Sequence, residues 1–73
     1  MDEARKAEVK RCFGARLRQL RKARKMSQEA VALASDLDRS YVGRIERGEI
    51  NVSLVNIQRL RRRSGWRRLR RVS

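Results

Sequence analysis

Two short amphipathic segments, each opening on a capping residue, stand about four residues apart in "SQEAVALASDLDRSYVGRIERG", Ser27 to Gly48. This arrangement constrains the chain more than any other feature. Ser27 can accept an orphan backbone N–H at the start of a helix. Met26 and Val31 then stand at the two positions of a hydrophobic staple. Position 30 is alanine, so the full capping box is missing. The run Gln28 to Ala34 predicts a helix of about two turns. Asp38 is placed to cap a second short helix, Arg39 to Arg47, with Leu37 and Val42 as staple, and Gly48 suits its stop. Where two such helices cross, one side chain must be small, and Ala32 is there. Val31 packs inward, Leu37 plugs the turn, and Val42 and Ile45 face back from the second segment. Arg39, Ser40, Gly43 and Arg44 are left on the opposite face, expected to be exposed. Of these, Arg39, Ser40 and Arg44 have side chains able to reach base edges in a major groove.

The flanks are also helical in pattern. Val9, Phe13, Leu17 and Leu20 recur at spacings of four, four and three, which predicts a first helix from about Glu3 or Ala7 to Arg24. The stretch Arg24 to Met26 breaks it. A fourth helix is capped by Ser53, with Asn51 as the rival cap, and carries Leu54, Ile57 and Leu60 as its apolar stripe; Gly65 is expected to end it. Trp66, Leu69 and Val72, spaced by three, fit one face of a short fifth helix as well as they fit a disordered polycation. Proline is absent, aromatics are Phe13, Tyr41 and Trp66 alone, and helix-forming residues dominate. The expected fold is all-α. The expected division is an N-terminal helical extension over 1–12, a helix-turn-helix unit over 13–60, and an arginine-rich C-terminal segment over 61–73.

Charge narrows the class of partner. The formal net charge is +13, but it is unevenly spread: residues 1–58 hold 13 Lys/Arg against 8 Asp/Glu, while residues 59–73 add eight arginines and no acid. Clustered cations of this kind suit a polyanion, although charge alone does not separate DNA from RNA or an anionic membrane. Cys12 is the only cysteine and histidine is absent. An intrachain disulfide and a Cys/His or Ser/His catalytic pair are therefore excluded, and no metal site, cofactor or enzymatic activity is expected. Cys12 reads as a buried or half-buried thiol beside the Phe13 stripe. The N-terminal residues lack the apolar stretch of a signal peptide, and no apolar run approaches the ~20 residues of a membrane span. A cytoplasmic, non-membrane protein is expected.

With these residues in place, the sequence resembles the Cro/phage-repressor-like (XRE) helix-turn-helix proteins. The likeness is carried by "FGARLRQLRKARKMSQEAVALA" and "LDRSYVGRIERGEINVSLVNIQRL" and spans Phe13 to about Leu60. It implies a compact bundle of four or five helices of the lambda-repressor-like DNA-binding type. It also implies that Arg39, Ser40 and Arg44 contact bases, that Gln28, Tyr41, Arg47 and Asn51 meet the phosphate backbone, and that Arg21 and Glu46 form a supporting salt bridge. The implied function is sequence-specific binding of double-stranded operator DNA by a regulator of transcription, a repressor or autoregulator, in a bacterial or phage, nucleoid-associated setting. Within the same fold stand antitoxins and restriction-modification controllers; outside it stands a non-specific nucleic-acid binder acting through the arginine-rich end.

Three features depart from the family pattern. Asp36 stands where the turn usually has glycine, with Ser35 at the preceding small apolar position; aspartate tolerates a left-handed backbone better than most residues. Gly43 falls inside the recognition helix, at a cost of ~1 kcal/mol against alanine. The arginine-rich ending, with Arg61 and Ser64 where alanine and leucine are usual, replaces the family's dimer helix and leaves a homodimer open.

Overall fold

The computed structural model describes residues 2–63 as four helices: α1, Glu3–Ala23; α2, Gln28–Ser35; α3, Arg39–Glu46; and α4, Leu54–Arg63. The expected all-α fold is present, with both ends of α1, α2 and α3 and the start of α4 within a residue or two of those read from the sequence. Gly65 and the Trp66, Leu69 and Val72 face lie outside the described residues. No helix among those described is long and apolar enough to cross a membrane.

Local chemistry explains the boundaries. The Asp2 carboxylate accepts the Arg5 N–H at 2.8 Å and opens α1, whose first turn carries Glu3 and whose last carries Arg21 and Lys22. That charge order complements the helix dipole. The Ser27 hydroxyl accepts the Ala30 N–H at 3.0 Å, and the Ser53 hydroxyl accepts that of Asn56 at 3.2 Å. Ser53, not Asn51, therefore caps α4. Asp38 occupies the cap position of α3, but its side chain makes no capping bond. Its carboxylate instead accepts the Ser40 hydroxyl.

Two helix ends turn on left-handed residues that are not glycine. Asp36 has φ 59° and closes α2, with the Leu37 N–H donating to the Ala32 carbonyl at 2.8 Å. This is the turn the sequence allowed for aspartate. Lys25, with φ 57°, closes α1 in the same way: the Met26 N–H reaches the Arg21 carbonyl at 3.0 Å. A side chain in this region costs roughly 1–2 kcal/mol, and the closing hydrogen bonds offset part of it.

The core is Leu17, Val31, Ala32, Val42, Ile45 and Leu60, all at most 2% exposed, bordered by Phe13, Met26, Leu37, Tyr41, Ile50 and Val52. α2 packs against α3 and α4, and α3 against α1. The α1–α3 crossing is closest at Gly14: a Cβ there would stand 2.1 Å from the Ile45 carbonyl oxygen. No side chain fits between the two backbones.

Four readings of exposure are corrected. Cys12 is exposed, not buried beside Phe13. Val9 and Leu54 are 49% and 80% exposed, so the α1 and α4 stripes meet the core only over part of their length. Gly43 is buried, although expected on the outer face of α3. A Cβ at Gly43 would lie 3.2 Å from Arg47 Nη1 and 3.6 Å from Gln28 Oε1, so those two side chains cover it.

Candidate nucleic-acid interface

α3 divides its residues cleanly. Val42 and Ile45 are buried, at 0% and 1% exposed, and Arg39, Ser40 and Arg44 are exposed on the other side. The burial of these two aliphatic side chains anchors a helix of only eight residues, too short to persist alone. Its outer face is thereby presented at a set angle.

A polar clasp sets that angle further. Arg21 of α1 grips Glu46 with both ends of its fork, Nε to Oε2 at 2.6 Å and Nη2 to Oε1 at 3.0 Å. Its remaining Nη1 donates to the Met26 carbonyl at 2.9 Å. Gln28, at the start of α2, donates to Glu46 Oε1 at 3.1 Å. One carboxylate thus joins α1, α2 and α3, and Arg21 ties the α1–α2 connection to it. The side chains of Arg21 and Glu46 are only 12% and 4% exposed. The Glu46 hydrogen bond raises the Arg21 guanidinium above its ordinary pKa, against the opposing effect of burial. The expected Arg21–Glu46 bridge is therefore formed.

A second carboxylate lies just beyond α3. Glu49 Oε2 accepts Arg47 Nε at 2.6 Å, and Oε1 lies 3.6 Å from Arg44 Nε. These side chains are about half-exposed, at 60%, 53% and 45% for Arg47, Arg44 and Glu49. The Arg47 hydrogen bond holds the Glu49 carboxyl below its usual range, with the charges of Arg47 and Arg44 adding to it. In turn, Glu49 raises Arg47.

The remaining candidates are placed as follows. Ser40 donates its hydroxyl proton to Asp38. The Tyr41 hydroxyl oxygen accepts from Asn56 Nδ2 at 3.0 Å, which leaves its own O–H free to donate outward. Ser40, Tyr41 and Arg44 line one shallow depression with Asn56 and Arg59 of α4. Gln28 and Arg47 both lie against Gly43. Asn51 lines a different cleft, with Lys10, Phe13 and Ile57. Neither Asn56 nor Arg59 was singled out from the sequence. Arg59 Nη1 reaches the Asp36 carbonyl at 3.4 Å, a contact across 23 residues that no local pattern reveals.

Comparison with known proteins places this geometry. Residues 17–63 match the family model described as helix-turn-helix. The chain is 46% identical over 54 residues to the control protein C.MunI of a Mycoplasma species, covering 73% of each chain. It is 43% identical over 58 residues to the control protein C.BamHI of Bacillus amyloliquefaciens, covering 78% of this chain and 72% of that one. Among solved structures it is similar to the restriction-modification controller protein C.AhdI of Aeromonas hydrophila. The TM-score is 0.73 and the identity 57%, over 74% of this chain and 82% of the other. The chain belongs to the XRE-type helix-turn-helix family of DNA-binding regulators.

Proposed function

We propose that this protein is a restriction-modification controller: a regulator that binds a specific double-stranded operator and sets transcription from it. The controller role is supported by the similarity to the control proteins C.MunI, C.BamHI and C.AhdI, and the observation that carries the DNA-reading part is the division of α3. Its inner face is held by Val42, Ile45 and the Glu46 clasp, while Arg39 and Arg44 are presented outward. Each of these arginines suits guanine O6 and N7, a bidentate contact worth ~1–3 kcal/mol of discrimination. Ser40 supplies a smaller polar contact once its hydroxyl leaves Asp38. Gln28, Tyr41, Arg47 and Asn51 anchor the phosphate backbone on either side. The partner is DNA inside a bacterial cell, with residues 13–60 as the recognition unit. The arginines of 61–73 add affinity and salt dependence without choosing the site. The working form is a homodimer, its half-sites one or more helical turns apart, ~34 Å per turn.

The test compares a duplex selected from a random library with unselected DNA at physiological salt. The expected specificity ratio is at least ~10³. A ratio near one with a steep salt slope would instead assign binding to the arginine-rich end and overturn the proposal.

A further inference from the structure

We propose that Glu49 is a positioning residue that sets how strictly Arg44 and Arg47 discriminate between operator and other DNA. The proposal rests on reading these two arginines as DNA contacts, and its test is arranged so that the two can fail separately.

Glu49 is placed by backbone before any side chain acts: its N–H donates to the Arg44 carbonyl at 3.0 Å, so it folds back over the last turn of α3. From there one carboxylate meets two guanidinium groups, one through each oxygen, and each guanidinium through its Nε. Nε of Arg47 lies at 2.6 Å and Nε of Arg44 at 3.6 Å. A guanidinium presents five donors in a planar fork. Occupying the Nε edge leaves the terminal Nη groups of Arg44 to address a base edge and those of Arg47 a phosphate. Gly43 completes the seat for Arg47, whose Nη1 lies where a larger residue would press on it. This gives a reason for the mid-helix glycine that its helix propensity does not. Gln28 lies against the same glycine.

Discrimination follows from the two kinds of complex. At the operator, Arg44 approaches a base with its terminal nitrogens, and Glu49 can remain on the Nε edge. On unselected DNA, binding depends on neutralising phosphates. There Arg44, with no matching base to read, turns from Glu49 to a phosphate, and the freed carboxylate stands against the phosphate backbone as a like charge. Glu49 therefore penalises the unselected complex more than the selected one. A half-exposed pair is weak enough to yield, so it biases the arginines without blocking them.

The test uses the full chain and the Glu49→Gln variant. Affinity is measured on the selected operator and on random duplex across a salt series. Glu49→Gln should tighten random-duplex binding by about 3- to 10-fold and steepen its salt slope by about one unit, as for one further phosphate neutralised. Operator affinity should change by less than about 2-fold, so the specificity ratio falls. An unchanged ratio, whether both affinities rise together or neither moves, overturns the proposal. The Nε–H NMR signals of Arg44 and Arg47 in the free protein give a second readout that needs no DNA. They should move in Glu49→Gln, and unmoved signals overturn the positioning geometry. Arg44→Ala is measured beside them. Undiminished operator binding by Arg44→Ala counts against the DNA-contact reading itself, whatever Glu49→Gln does.

Discussion

Glu46 and Glu49 stand three residues apart at the end of α3, and each carboxylate holds arginine. Around Glu46 the solvent is gone: it is 4% exposed, it accepts from Arg21 and Gln28, and it links three helices. Around Glu49 the solvent remains, and its partners Arg44 and Arg47 keep half or more of their side-chain surface. The same chemistry therefore has different consequences. A buried pair that loses one member leaves an uncompensated charge, whereas an exposed pair exchanges its partner for water or a ligand at little cost. The inner carboxylate holds the recognition helix in place, and the outer one governs what that helix meets.

This contrast can be broken most forcefully at Arg21. Arg21→Ala strands the Glu46 carboxylate and should cost about 3–5 kcal/mol in urea unfolding, a large part of the stability of so small a domain. A loss under about 1 kcal/mol would mean that the clasp is incidental. Next comes Gly14→Ala, which touches neither carboxylate but forces α1 and α3 apart at their closest point. Overpacking of that kind costs about 1–3 kcal/mol, measured in the same way. Operator binding should weaken along with stability, because α3 is displaced. Glu49→Gln should leave the thermal midpoint where it was, in contrast to both.

Smaller effects sharpen the account. Ser35 is fully buried and its hydroxyl has no hydrogen-bond partner among the described residues. Ser35→Ala removes an unsatisfied group and should raise stability by about 1 kcal/mol. The smallest effect is that of pH. Glu49 has its carboxyl lowered in the folded state, so any stability it contributes is present above the unfolded carboxylate value. That contribution is lost as pH falls through the lower folded value. Between pH 6 and 8 the difference in DNA binding between the wild type and Glu49→Gln should stay constant, and a titration within that window would argue against a carboxylate origin.

The elements were legible because their signals are local. Ser27 and Ser53 announce their helices through a hydroxyl three residues ahead of an N–H, and Asp36 announces a left-handed turn. Lys25 takes the same conformation without any such signal, since lysine has no preference for it. What escaped was tertiary. Gly14 looks like an ordinary helix residue until a second helix crosses it. Gly43 sits on the outer side of α3 by periodicity, but Gln28 and Arg47 fold over it. Leu54 and Val9 continue apolar stripes past the point where a neighbour covers them. Cys12 follows the helix round to solvent. At the candidate site, the exposure of Arg39, Ser40 and Arg44 on one side of α3 was legible through helical spacing, and the Arg21–Glu46 bridge through family likeness. Asn56, Arg59 and the hold of Glu49 on two arginines depend on side chains meeting across turns.

The central claim is that α3 reads base identity through its outer arginines. It is tested most directly by measuring Arg44→Ala on the selected operator and on duplexes carrying each single base substitution. The account predicts that discrimination collapses at one base position in each half-site and persists elsewhere, at about 1–3 kcal/mol for that position. Uniform weakening across every sequence, with discrimination intact at all positions, would place Arg44 on the phosphate backbone and contradict it.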